Sequence, residues 1–178
     1  MSKSFKPIKI EKLTPKQPHG LVMVITGNGK GKTTSAMGMV LRASGHGLKS
    51  CIIQFMKGDL YSGEWDGVKL LGGLAELHAT GMGFCGIQGN PYTHAEHRVN
   101  AQAAVELAQE KMACGDYKII ILDEINNALQ LKLVDLEQVL DLVNAHADVV
   151  ELADTVSEVC EVKHAYQKDI EPQPGIDY

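Results

Sequence analysis

The sequence predicts a single three-layer α/β domain with a mostly parallel sheet, and three observations predict it. The run Leu21-Val22-Met23-Val24-Ile25 is continuously apolar and β-favouring, as a strand covered on both faces must be. A glycine-rich turn, a helical stretch and a second apolar strand at Ser50–Phe55 follow it. Strand, helix, strand in that order is a βαβ unit, which builds parallel sheets through right-handed crossovers. A length of 178 residues then suffices for one sizeable core and not for two.

Taken in order, residues 1–19 form a basic N-terminal arm and residues 20–178 the domain. After the first strand and its turn, Ser35–Ser44 is helical and ends near Gly45 or Gly47, where glycine supplies a left-handed cap. The stretch Met56–Pro91 is glycine-rich and without clear period, apart from a short strand at Ala75–His78. Long segments of this kind inside a domain are commonly functional loops. Thr93 and Glu96 form a capping box that opens a helix reaching about Ala113. Lys118–Leu122 is an apolar strand ending in Asp123-Glu124, and helices follow at Ile125–Leu131 and Val134–Val143. A short helix at Asp148–Leu152 and a strand at Thr155–Val162 complete the regular part.

Composition excludes several classes. The formal net charge is −5, yet the first 16 residues carry five lysines and one acid, which leaves a body at −9. Such a body is a poor nonspecific partner for nucleic acid, whose phosphates demand clustered cations. The arm is a solvated tail or a cover for an anion. No apolar run approaches the roughly 20 residues that span a bilayer, and the N-terminus lacks an apolar export core. The expected compartment is the cytoplasm. Cys51, Cys85, Cys114 and Cys160 show no C-x-x-C spacing, so they read as free thiols rather than a zinc site or disulfide framework.

The segment Gly27-Asn28-Gly29-Lys30-Gly31-Lys32-Thr33-Thr34 is the strongest motif. Glycines there let successive backbone N–H groups converge on an anion, and the following helix adds its positive end. Lys32 is placed to reach phosphate oxygens, and Thr33 to ligate Mg²⁺ or Mn²⁺. The match to G-x-x-x-x-G-K-[ST] is imperfect, since Thr26 holds the first glycine position, and a plain glycine-rich turn is the alternative. Ile119-Ile120-Ile121-Leu122-Asp123-Glu124 supplies the acidic strand end that partners such a loop, with Asp123 and Glu124 as metal or water ligands. Helix-capping acids are the competing explanation. Together these motifs specify a P-loop NTPase-like (RecA-like) domain. His94 and His97 share a helix face but lack a third metal ligand, so they belong to a solvated first turn. Trp65 reads as loop packing.

A phosphate loop fixes the nucleotide class and not the reaction. The loop motif, Arg42-Ala43-Ser44-Gly45-His46-Gly47, Gln54-Phe55-Met56-Lys57-Gly58, Ile121-Leu122-Asp123-Glu124-Ile125-Asn126 and Glu151-Leu152-Ala153-Asp154 together resemble the ATP:corrinoid adenosyltransferases of the CobA/BtuR/CobO type. Val162-Lys163-His164-Ala165-Tyr166 and Gly175-Ile176-Asp177-Tyr178 resemble that family's C-terminus. The resemblance implies that Co(I) of a corrinoid attacks C5′ of ATP and displaces triphosphate, in adenosylcobalamin biosynthesis or salvage. It implies ATP held in reverse orientation, a reduced flavoprotein as electron donor, and a homodimer in which the arm folds over the corrinoid. Lys32 and Glu124 would serve catalysis, and Phe84 would help displace the lower axial ligand of Co(II). A P-loop phosphotransferase or ATPase, and a nucleotide-dependent binding module, are the alternatives.

Two departures from the family pattern stand out. Gly86 occupies the place where many members carry tryptophan, with Ile87 or Tyr92 as substitutes, and Phe84 could equally be core packing. The chain also passes from Val143 almost directly to Asp148, where the family has a further strand ending in Thr-Gly-Arg. Residues missing after Val143, with a physical break before Asn144, are the expectation.

Overall fold

The computed structural model describes residues 20–58, 61–86, 89–144, 153–164, 167, 171 and 174–176. The basic arm at 1–19, the helix expected at Asp148–Leu152, and Ile87 lie outside these residues.

Five strands are described: β1 Met23–Thr26, β2 Ser50–Gln54, β3 Ala75–Ala79, β4 Ile119–Asp123 and β5 Thr155–Glu158. The helices are α1 Lys32–Ser44, α2 Glu64–Gly67, α3 His94–Ala113, α4 Ile125–Gln130 and α5 Leu136–Asn144, with a 3₁₀ turn at Val68–Leu71. Every strand pair is parallel, as the βαβ reading requires. β2 is central, pairing with β3 on one edge and β4 on the other, and each of its residues is buried. Its side chains alternate between two layers. Cys51 and Ile53 join Ala101, Ala104, Val105, Ala108, Leu133 and Leu142 on the side of α3 and α5. Ile52 meets Val40 and Val68 on the side of α1. The alanines of α3 recur at helical spacing, which lets the helix lie close on the sheet.

Local chemistry sets the ends of these elements. The capping box is present: the Thr93 hydroxyl accepts from the Glu96 N–H, and Glu96 accepts from the Thr93 N–H. α1 begins at Lys32, three residues before the expected Ser35, because the end of the glycine loop is itself the first turn. Gly47, with φ +71°, takes the left-handed position after α1. β5 stops at Glu158 rather than Val162, because the chain there leaves the ladder for the glycine loop. Within Met56–Pro91 the structure adds α2 and the 3₁₀ turn, elements too short for periodicity to reveal.

The sheet is divided in two, as β3-β2-β4 and β1-β5. Among the described residues no strand pairs with the second edge of β1 or of β4. α5 ends at Asn144, and residues 145–152 after it, the stretch in which the missing segment was expected, lie outside the described set. β5 is exposed along its length and β1 only partly buried, in contrast to β2.

Candidate active site

The carboxyl ends of β1, β2 and β4 carry the chemistry, and each reaches it through its own loop. At the end of β1 the glycine loop is braced by the segment after β5. The Gly29 N–H donates to Val159 O at 2.7 Å, and the Val159 N–H donates to Thr26 O at 2.8 Å. Gly27 has φ +108°, and a Cβ there would stand 2.2 Å from Val159 O. Only glycine fits that combination of backbone angle and close approach. Asn28 Oδ1 accepts from the Glu161 N–H at 3.1 Å, which adds a second tie. Sequence pattern does not reveal this brace, because it joins the loop to a segment far away along the chain.

Gly31, also left-handed, forms the N-cap of α1. Lys32 and Thr33 are therefore the first residues of the helix. The Lys32 ammonium donates to Gly29 O at 2.8 Å, folding the side chain over the loop it is expected to serve. Thr33 Oγ1 donates to Asp123 Oδ1 at 3.0 Å, across 90 residues of sequence. That bond joins the two sequence motifs in one site.

Asp123 is buried at the end of β4. Its Oδ2 accepts from Gln54 Nε2 at 3.1 Å, and Gln54 is the residue that faces it across the ladder. Gln54 is 0% exposed and fully used: Nε2 also donates to Glu64 Oε1 at 3.1 Å, and Oε1 accepts from Trp65 Nε1 at 2.8 Å. Glu64 in turn binds Lys57 and Ser62. Burial works to raise the Glu64 carboxyl, but these hydrogen bonds outweigh it and hold the group at about 2. Trp65 is thus a packing residue with a polar role, edge-on to Tyr61. Periodicity could not find this network, because α2 supplies two of its members.

Glu124 follows Asp123 with φ +64°, a conformation in which non-glycine residues are strained. Its Oε2 is buried with no hydrogen-bond partner. Burial first, and the Asp123 charge second, raise its pKa above the usual carboxylate value. The unpartnered Glu124 oxygen and the Asp123 carboxylate, which accepts from Thr33, are oxygen donors of the kind that suits a hard divalent cation. The residues present fit Mg²⁺.

Phe84 sits beyond the end of β2. The Thr80 and Gly81 N–H groups both donate to Gln54 O, at 3.1 Å each, which fastens this loop to the strand. A Cβ on Gly81 would lie 2.3 Å from the Met56 carbonyl carbon, so the two backbones touch. Phe84 is 45% exposed, which excludes the core-packing alternative. It lines an open pocket of about 350 Å³ with Met56, Cys85, Asn127, Gln130 and Leu131. The pocket lies on the same carboxyl edge of the sheet as Asp123, since Met56 follows β2 and Asn127 belongs to α4. Tyr92 is exposed and edge-on to His97 rather than part of this wall.

The two histidines of α3 part company. His94 Nε2 lies 2.8 Å from Leu131 O, whereas His97 is 3% exposed and faces Asn90 Oδ1 at 3.4 Å. His97 is interior, a correction to the solvated turn expected there. No helix among the described residues is long and apolar enough to cross a membrane.

Comparison with known proteins decides the family. The profile of the ATP:corrinoid adenosyltransferase BtuR/CobO/CobP family matches residues 18–178. The chain belongs to this family. It is similar to the corrinoid adenosyltransferase of Escherichia coli strain K12, 35% identical over 177 residues, covering 89% of this chain and 86% of that one. The corrinoid adenosyltransferase of Pseudomonas aeruginosa is 34% identical over 173 residues, covering 89% and 84%. The corrinoid adenosyltransferase CobA of Salmonella typhimurium is 33% identical over 176 residues, covering 91% and 87%. An ATP:corrinoid adenosyltransferase takes ATP and a corrinoid as substrates, and the glycine loop and the Phe84 pocket are open to the same edge of this fold.

Proposed function

We propose that this adenosyltransferase holds the triphosphate of ATP on residues 27–34 and receives the corrinoid against the pocket walled by Phe84 and Met56. Co(I) of the corrinoid attacks C5′, the C5′–O bond breaks with its electron pair on oxygen, and inorganic triphosphate leaves. The observation that carries this reading is the Thr33–Asp123 hydrogen bond, which joins a glycine loop and an acidic strand end on the edge of the sheet where the open Phe84 pocket lies.

Co(I) is a strong nucleophile and needs no general base, so positioning and charge stabilisation make up the protein's share. The loop amides and the Lys32 ammonium, swung from Gly29 O onto phosphate, stabilise the charge that grows on the leaving oxygen. Thr33, Asp123 and Glu124 would hold Mg²⁺, which supplies further neutralisation of the triphosphate. Gln54 keeps Asp123 aimed, and Glu124 binds metal or water rather than acting as a base. Phe84 presents an apolar face to the cobalt and disfavours a water or base as lower ligand, which eases reduction of Co(II). Gly86 leaves that face narrower than a tryptophan would. On the same reading a reduced flavoprotein is the electron donor, the working unit is a homodimer, and the reaction takes place in the cytoplasm.

Product analysis tests the proposal. Chemically generated Co(I) corrinoid, MgATP and the protein should yield an adenosylated corrinoid and triphosphate in equal amounts. ADP with phosphate would indicate an ATPase or phosphotransferase instead, and absence of turnover a binding module.

A further inference from the structure

Three side chains outside the nucleotide site converge on the α3 side of the sheet. Cys51 on β2 faces Glu76 on β3 directly across the parallel ladder. His78 is two residues beyond Glu76 and so shares its face. Cys51 Sγ, a Glu76 carboxylate oxygen and a His78 ring nitrogen all lie within 4.8 Å of one another. One atom, Glu76 Oε1, is the focus: Cys51 Sγ lies 3.6 Å away, His78 Nε2 2.8 Å and Lys111 Nζ 2.8 Å. Cys51 is buried, whereas Glu76 and His78 are part-exposed, which leaves an entry path from solvent.

We propose that Cys51, Glu76 and His78 form a binding site for a Zn²⁺-class divalent transition metal, with water as fourth ligand. One sulfur, one imidazole nitrogen and one carboxylate oxygen suit zinc and exclude the hard cations that the oxygen-only nucleotide site prefers. Tetrahedral bonds of about 2.0–2.3 Å separate neighbouring ligand atoms by about 3.3–3.7 Å. The sulfur–oxygen distance of 3.6 Å already meets this, and the nitrogen–oxygen distance of 2.8 Å must open by about half an ångström. A part-exposed histidine at the rim can make that movement.

Loading exchanges one cation for another. The metal takes the place of the Lys111 ammonium at Glu76, and Cys51 releases its proton to solvent as the metal–sulfur bond forms. Glu76, His78, Lys111, Tyr117 and Cys114 are the titratable groups that act on this cluster. Because each metal–sulfur bond formed releases the Cys51 proton, uptake of metal strengthens as pH rises. Cys51 and Gln54 lie three residues apart on one strand, about 10 Å, so the two sites are separate. Spacing along the sequence could not have shown this cluster, because strand register and not a short motif assembles it.

Titration of the metal-free, full-length protein with Co²⁺ tests the proposal. A near-ultraviolet thiolate-to-cobalt band with tetrahedral visible bands is expected, and Zn²⁺ should displace it. Co²⁺ at Thr33, Asp123 and Glu124 has no sulfur ligand and cannot produce the thiolate band. Cys51→Ser and His78→Ala should each weaken metal binding by at least about tenfold, while Cys160→Ser leaves it unchanged. Lys111→Met removes the competing ammonium and should tighten binding, a result that a mere hydrogen-bond network would not produce. If Cys51→Ser does not fold, His78→Ala decides. A folded protein without a thiolate band at millimolar Co²⁺ overturns the site, as does a band that survives in His78→Ala.

Discussion

Replacing Gln54 by leucine keeps the length and bulk of the side chain and removes its two polar ends. The residue is fully buried and makes three side-chain hydrogen bonds: two donated to Asp123 and Glu64, and one accepted from Trp65. Glu64 retains Lys57 and Ser62, and Asp123 retains Thr33, so neither carboxylate is stranded. Each lost bond costs about 1 kcal/mol, somewhat more for those to a carboxylate, and the apolar replacement returns part of it. A net loss of about 3 kcal/mol follows, which lowers the melting temperature of a chain this size by about 6–12 °C. The functional effect is separate: Asp123 loses one of its two side-chain anchors, and affinity for MgATP should fall about tenfold. Circular-dichroism melting measures the first quantity and isothermal titration with MgATP, well below the transition, the second. Gln54→Glu should be worse than leucine, because it sets a third carboxylate between two others. Should Gln54→Leu melt within about 2 °C of the parent and bind MgATP normally, the buried network does not position Asp123.

Other consequences are equally measurable. Lys32→Ala should cut adenosyl transfer by about 10²–10³-fold while leaving the melt nearly unchanged, since among the described residues its amine donates to the nearby Gly29 O. Phe84→Ala should impair the reaction started from Co(II) more than the reaction started from Co(I); equal losses would argue against ligand displacement. Gly27→Ala should destabilise by about 3 kcal/mol, through a forced left-handed residue and loss of the Gly29–Val159 contact, whereas Gly47→Ala, with open space around it, should cost only about 1 kcal/mol. Glu64, ordinarily near 4.5 and held at about 2, contributes stability that is fully present above pH 4.5 and lost as pH falls toward 2. Glu64→Gln should flatten that stretch of the stability curve in acid melting experiments.

Much of this was legible in the sequence because it rests on local chemistry. The glycine loop, the acidic strand end and the Thr93–Glu96 box each announce a backbone geometry through adjacent residues. The pairing of Thr33 with Asp123 was anticipated as a partnership of motifs, although only the fold supplies the hydrogen bond. What escaped detection depends on contacts between distant segments. Val159 bracing Gly29, Trp65 holding Gln54, and Cys51 meeting Glu76 are products of strand order and register. Exposure of Phe84 could not be read either, since a phenylalanine among glycines looks the same in a core as on a pocket wall.

Among the described residues, a small number of polar contacts joins the glycine loop to the acidic strand end. β1 presents the phosphate loop and β4 presents Asp123, yet among the described residues no ladder joins them. Their alignment passes through side chains and loops instead. Thr33 ties α1 to β4, and the Val159 and Glu161 backbone ties the loop to the segment beyond β5. β4 is itself held in register by fully buried β2, whose last residue, Gln54, fixes both Asp123 and the loop that bears Phe84. The half built on β2 therefore carries Asp123 and the Phe84 pocket together. The glycine loop sits in the more exposed half, and its distance from them is set by the Thr33–Asp123 bond together with α1, whose Val40 packs on Ile52 of β2. On the proposed reading Thr33 would serve twice, helping to align the loop with Asp123 and offering its hydroxyl to the metal once MgATP binds. On the same reading, binding of MgATP bridges Lys32 and the carboxylates and adds to these contacts, so it should raise the melting temperature measured by circular dichroism; an unchanged melt at saturating MgATP would argue against that bridge.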